Sequence, residues 1–151
     1  MEISAKGDYA MRALTVLASS EGQPMTMVEL AEAQGIPPRF LQAILLRLRQ
    51  RGLVVSHRGA EGGYRLARPP AEITVADVLR AVDGPLAAVR GVPPEEIVYR
   101  GVAEPLSTVW LALRASMRRV IERVTLEDVV RGPLPEPVRR LIAGEEAWRS
   151  G

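Results

Sequence analysis

From residue 8 to residue 20 the chain reads DYAMRALTVLASS, with Met11, Leu14, Leu17 and Ala18 on one side of a 3.6-residue repeat. That period predicts an amphipathic helix, with Asp8 near its start where a carboxylate complements the helix dipole. A second, shorter helix is expected over TMVELAEAQ, where Thr26 and Glu29 form a capping box, Met27, Leu30 and Ala31 face inward, and Gly35 stops the run. The third begins at Pro37-Pro38, since proline is tolerated in a first helical turn. Its apolar stripe is Phe40, Leu41, Ile44, Leu45 and Leu48, and Gly52 ends it.

The period then changes. LVVSHR and GYRLAR are two short β-rich runs joined by GAEG, which reads as a hairpin whose Gly59, Gly62 and Gly63 accept positive φ and permit close backbone approach. A short helix, a glycine turn, a longer basic helix and a hairpin directly behind it make a winged helix-turn-helix. The expected fold class is therefore mainly α with a small β-hairpin. Residues 1–84 would form the winged helix-turn-helix domain, 85–104 an apolar loop, 105–131 a long helix and 132–151 a C-terminal tail.

In the long helix Leu106, Trp110, Leu113, Met117, Val120 and Val124 alternate four- and three-residue steps, the pattern of a helix lying along a partner helix. Packing within its own subunit is the competing use of that stripe. A winged helix complete by residue 84 leaves subunit pairing as the better one. In the tail, Pro133 to Pro137 break the chain before residues that either form a short amphipathic helix reaching Trp148 or fray.

Composition narrows the chemistry. With 151 residues, 47% of them hydrophobic, the chain suits one ordinary domain and one extra element rather than disorder. No apolar run approaches the roughly 18 residues needed to cross a bilayer, and the first residues lack a signal-peptide pattern. A cytoplasmic protein without membrane contact is expected. Zero cysteines and the single His57 leave no disulfide, no thiolate metal site and too few imidazoles for a His cage or a catalytic triad. The adjacent Glu95 and Glu96 point in different directions on any regular element, and no nucleophile or phosphate-binding loop accompanies them, so no enzyme is expected.

Charge locates the function. Seven arginines (39, 47, 49, 51, 58, 65 and 68) face the single acid Glu61 between residues 39 and 68, whereas the whole chain carries only +2. Such a clustered basic surface attracts nucleic acid. Arg39 and Gln42 leave the first turns of the third helix opposite its stripe, where arginine suits guanine and glutamine suits adenine. Pro38 and Phe40 would set how that helix begins; Lys6, Arg49 and Arg51 are candidates for phosphates. Arg58, Gly59, Gly62, Gly63 and Tyr64 would bring the wing to the duplex backbone or minor groove. A solvated cationic turn, or a winged helix that binds protein instead of DNA, are the other readings.

Four segments in order, SAKGDYAMRAL, GIPPRFLQAIL, GLVVSHRGAEGGYRLARP and ITVADVLRAVDG, closely resemble the Rrf-two (Rrf2) family of bacterial transcription regulators. The resemblance is dense over residues 1–84. It implies a homodimer, joined through the long helix, that reads double-stranded DNA at a pseudo-palindromic operator as a repressor. Cluster-binding members carry three cysteines in the loop before the dimer helix. The matching positions here fall near Val92, Val98 and Glu104, so no iron-sulfur cluster or other metal is expected. Some members also supply a non-thiolate ligand from the position of Asp8, but without cysteines its role at a helix start is the expected one. Ile97, Val98, Tyr99 and Val102, leading into Trp110, are candidates to line a pocket for a small organic effector. A protein partner at the loop or wing, or simple cover for the helix end, are the alternatives.

Overall fold

The computed structural model describes residues 2–60 and 62–149; Glu61 of the hairpin turn lies outside them. Three helices come first: α1 (Ala5–Ser19), α2 (Met27–Gln34) and α3 (Pro38–Gln50). An antiparallel hairpin of β1 (Val54–His57) and β2 (Gly63–Leu66) follows, then α4 (Val75–Asp83), α5 (Leu106–Ile121), α6 (Leu126–Arg131) and α7 (Glu136–Leu141). Mainly helical with a small hairpin, this is the expected fold class.

Helix α1 begins ahead of the expected Asp8 because Ser4 caps it: its Oγ accepts from Gly7 N at 2.9 Å and donates to Asp83 at 2.6 Å. Asp8 does sit in the first turn, 3.2 Å from Arg12 Nε. The Thr26–Glu29 capping box opens α2 and the left-handed Gly35 closes it, as its residue types demand. Ala10, Ala13, Leu14 and Leu17 of α1 are buried with Leu30 of α2 and with Leu41, Ile44, Leu45 and Leu48 of α3. Each such leucine is worth about 2–5 kcal/mol against alanine, a large part of a small domain's whole stability. Met11, Ala18 and Met27 are partly buried at the margin of this core.

Three features depart from the expectations. Phe40 is 46% exposed rather than part of the stripe, because it lies at the solvent edge of α3 and tilts toward Tyr9 of α1, centroid to centroid 6.5 Å. The winged helix is not complete at residue 84. After α5 the chain returns: Leu126 is fully buried in the same core, Leu126 N donates to Ile73 O at 2.9 Å, and Val75 N donates to Val124 O at 2.9 Å. Helix α5 therefore stops at Ile121 instead of continuing to 131, and Val124 is buried within its own subunit rather than on the partner-facing stripe. The tail, left open between a short helix and a frayed end, forms α7, with Val138 buried, followed by a 3-10 turn at Glu145–Trp148.

Candidate nucleic-acid interface

The helical stagger that buries one side of α3 exposes the other. Arg39, Gln42, Ala43, Leu46 and Arg49 line one shallow groove, and Tyr64 reaches it from β2. Arg39 and Gln42 thus stand where sequence placed them. Ala43 and Leu46 were not singled out there, although their spacing from Gln42 and Arg39 marks the same face. Leu46 is 46% exposed among arginines, an apolar surface of the kind that meets a thymine methyl.

Local contacts hold this face in place. The Arg39 guanidinium lies 4.8 Å from the Phe40 ring centroid, a cation–π contact that orients it, and Tyr9 braces Phe40 from α1. Arg49 Nη1 donates to Ser56 Oγ at 3.3 Å and so ties the recognition helix to the hairpin. Pro38 opens α3, where its missing N–H costs no helical bond.

The hairpin pairs Val54 with Leu66 and His57 with Gly63. Met25 extends it: Tyr64 N donates to Met25 O at 2.7 Å and Met25 N to Tyr64 O at 3.0 Å, a third edge that residue patterning did not reveal. This edge explains Gly63, and the hairpin's own turn explains Gly62. A Cβ on Gly63, at φ +143°, would stand 2.6 Å from Met25 O, and one on Gly62 would stand 2.5 Å from His57 O. Both are needed to build the wing before any duplex arrives. Gly59, at φ +113°, instead faces open space at the exposed tip beside Arg58. Arg65 Nη2 lies 2.7 Å from His57 Nε2 across the hairpin, so that nitrogen must accept.

Among the described residues, no carboxylate lies within ion-pair distance of Arg39, Arg47, Arg49, Arg51, Arg58 or Arg65. Arg68 alone of the seven is paired, with Asp77 at 3.9 Å. Two of the expected phosphate contacts are placed differently. Lys6 Nζ sits 3.6 Å from Asp83 and 3.4 Å from Val82 O, so α4 partly neutralises it. Arg51, at the far end of α3, lines a cleft toward α4 and α5 rather than the groove of Arg39.

The apolar loop residues do not converge. Trp110 Nε1 donates to Tyr99 Oη at 2.9 Å, which pins the loop to α5, and Ile97 is half-buried; Val98 is 86% exposed and Val102 fully so. On α5 no residue is buried, and Leu106, Val109, Leu111 and Leu113 are exposed with Trp110, Met117 and Val120 half-exposed. The outer side of α5 is thus an apolar surface that no other described element buries.

The Rrf2 family, described as iron-dependent transcriptional regulators, matches residues 3–132. A Mycobacterium tuberculosis protein named as an HTH-type transcriptional regulator, Rv1287, is 54% identical over 151 residues, covering 99% of this chain and 94% of its own. The HTH-type transcriptional regulator CymR of Bacillus subtilis is 33% identical over 130 residues, covering 85% of this chain and 89% of its own. Among solved structures, CymR, the global cysteine regulator of B. subtilis, superposes with a TM-score of 0.72 at 32% identity over 86% of this chain and 96% of that one. T. potens IscR does so with 0.70 at 29% identity over 99% and 97%.

The iron in the family's description does not fit the donors of this chain. An iron-sulfur cluster is held chiefly by cysteine thiolates, and the sequence contains no cysteine. Among the described residues no group of three or more His, Asp or Glu is arranged to hold a metal ion. A helix-turn-helix with its core closed by α6, a hairpin braced against Met25, and relatives matched along nearly the whole chain lead to one conclusion: the chain belongs to the Rrf2 family of transcriptional regulators and is not an enzyme.

Proposed function

We propose that this regulator is a homodimeric repressor that reads a pseudo-palindromic DNA operator, without an iron-sulfur cluster. The observation that carries the reading is the exposed α3 face, where Arg39, Gln42 and Arg49 stand with Tyr64 of the wing and the arginines have no carboxylate near them. Unneutralised guanidiniums on a protruding helix gain from phosphate and guanine what no internal partner supplies. Arg39 and Gln42 read bases, Arg49 contacts phosphate, and Arg58 at the wing tip enters a narrow minor groove. The unpartnered apolar side of α5, with Leu106, Trp110, Leu113, Met117 and Val120, joins the two subunits so that two recognition helices meet successive half-sites. A small organic effector acts on this dimer.

Selection of duplexes from a random pool by the purified, aerobically handled protein tests the reading. A recovered sequence with two-fold symmetry, bound with an affinity that falls steeply with salt and is indifferent to chelator, is the expected result. Binding that appeared only after anaerobic iron-sulfur reconstitution would overturn the cluster-free reading. Capture of a protein with little salt dependence and no duplex selected would favour an adaptor.

A further inference from the structure

The end of α3, α4, the loop from Gly84 to Glu95, and α5 surround an open cleft of about 460 Å³. Arg51, Arg80, Arg114 and Arg118 all line it. Glu122 receives hydrogen bonds from both Arg80 and Arg118, and Glu95 receives one from Arg114 at 2.6 Å. Arg51 has no carboxylate partner among the described residues. Four guanidiniums therefore share two carboxylates, and two positive charges remain uncompensated in a partly enclosed space. Their mutual repulsion is stronger there than on open surface, and an anion placed among them relieves it. The arginine fork matches carboxylate and phosphate oxygens in pairs.

The remaining walls define the rest of the ligand. Pro85, Leu86 and Pro93 give an apolar side, which an inorganic ion would leave unused, and the volume lies within the roughly 300–1,000 Å³ typical of small-molecule clefts. Location adds a consequence. Arg51 caps the C-terminus of the recognition helix, Arg80 belongs to α4, and Arg114 and Arg118 to the helix assigned to subunit pairing, so one occupant touches all three. We propose that this cleft binds a small organic dianion, its charge carried by carboxylate or phosphate, and that its occupancy sets the position of α5 against α3. The site differs from the Val98–Val102 loop surface. It rests on the DNA-reading proposal only for its regulatory half.

Calorimetric titration of the full chain without DNA, at constant ionic strength, separates the two halves. Succinate, glycerol 3-phosphate and inorganic phosphate serve as probes, with chloride as the control. Saturable binding of one site per chain is expected for an organic probe, weakened at least tenfold in Arg51→Gln and in Arg114→Gln but unchanged in Arg139→Gln, which lies on α7. Succinate and glycerol 3-phosphate report which anionic group is preferred. Phosphate binding as tightly as either would overturn the organic assignment, and heats no different from chloride would overturn the site itself. If Arg51→Gln dissociated a dimer in sedimentation, the cleft would belong to a partner's carboxylate and the proposal would fail. With operator DNA in hand, the bound probe should change operator affinity severalfold in the wild type and leave Arg114→Gln unaffected; equal affinity with and without probe would refute the regulatory half alone.

Discussion

On the proposed reading, single side chains divide into those that would touch DNA and those that build what touches it. Arg39 is held over the Phe40 ring and exposed at the start of α3, so Arg39→Ala should relax preference at one base position in each half-site and cost about 1–3 kcal/mol of operator affinity. Repeating the duplex selection with the variant checks this, and an unchanged selected sequence would place a different part of α3 in the groove. Gly63 makes the contrasting case. A β-branched side chain there collides with the Met25 backbone and resists its φ of +143°, so Gly63→Val should lower the melting temperature and weaken every duplex alike. The hairpin's glycines had pointed to close contact with a duplex, and for Gly62 and Gly63 the nearer cause is the chain's own backbone. Arg58, beside the unconfined Gly59, is free of that constraint, and Arg58→Ala should weaken binding most on A·T-rich flanks in a mobility-shift series.

Among the elements, α5 is held in part by ion pairs, from Arg114 to Glu95 and from Arg80 to Glu122. None of its residues is buried, and Glu122, at its C-terminal end, is held below the ordinary carboxylate value of 4.5 chiefly by hydrogen bonds from Arg80 of α4 and then from Arg118. A lowered native pKa means the unfolded chain binds the proton more readily, so this contribution is complete above 4.5 and disappears as pH falls through the depressed native value. The melting temperature of the wild type should therefore exceed that of Glu122→Gln by a constant margin from neutral pH down to about 5, and the two should converge at lower pH. A margin that persisted in acid would show that the glutamate acts by shape rather than charge. The capping boxes at Thr26, Thr74 and Thr125 are, in contrast, local devices that start α2, α4 and α6, and Glu29 in the first is likewise held below its ordinary value by hydrogen bonds from Thr26.

For the whole molecule, the decisive question is which chain covers the apolar side of α5. Leu113→Arg together with Met117→Glu would bury charge in a subunit seam, where unpaired charge is strongly unfavourable. The double variant should sediment as a monomer, keep its winged-helix fold by circular dichroism, and lose operator affinity by well over tenfold, because two half-sites are no longer read together. A double variant that remained dimeric would return that stripe to some other use.

Much of what near neighbours in sequence govern was legible in residue order, though not the Ser4 cap of α1 or the Thr74 box of α4: the helix-turn-helix, the cap and stop of α2, the hairpin, the basic face and the apolar period of α5 follow from periods of 3.6 and 2, proline and glycine placement, and charge count. The absence of thiolates also needed no fold. Tertiary structure alone decided what long-range packing controls. Leu126 closes a core begun more than a hundred residues earlier, Met25 becomes the third edge of the wing, and Phe40 leaves the stripe to brace Arg39. Likewise Lys6 turns to Asp83, while Arg51, Arg80, Arg114 and Arg118, scattered along the chain, converge on one cleft. A sequence period states which side of an element is apolar or charged. It does not state which distant element, or which copy of the chain, that side will meet, since that depends on where the chain returns after each turn and on which contacts compete for the same face.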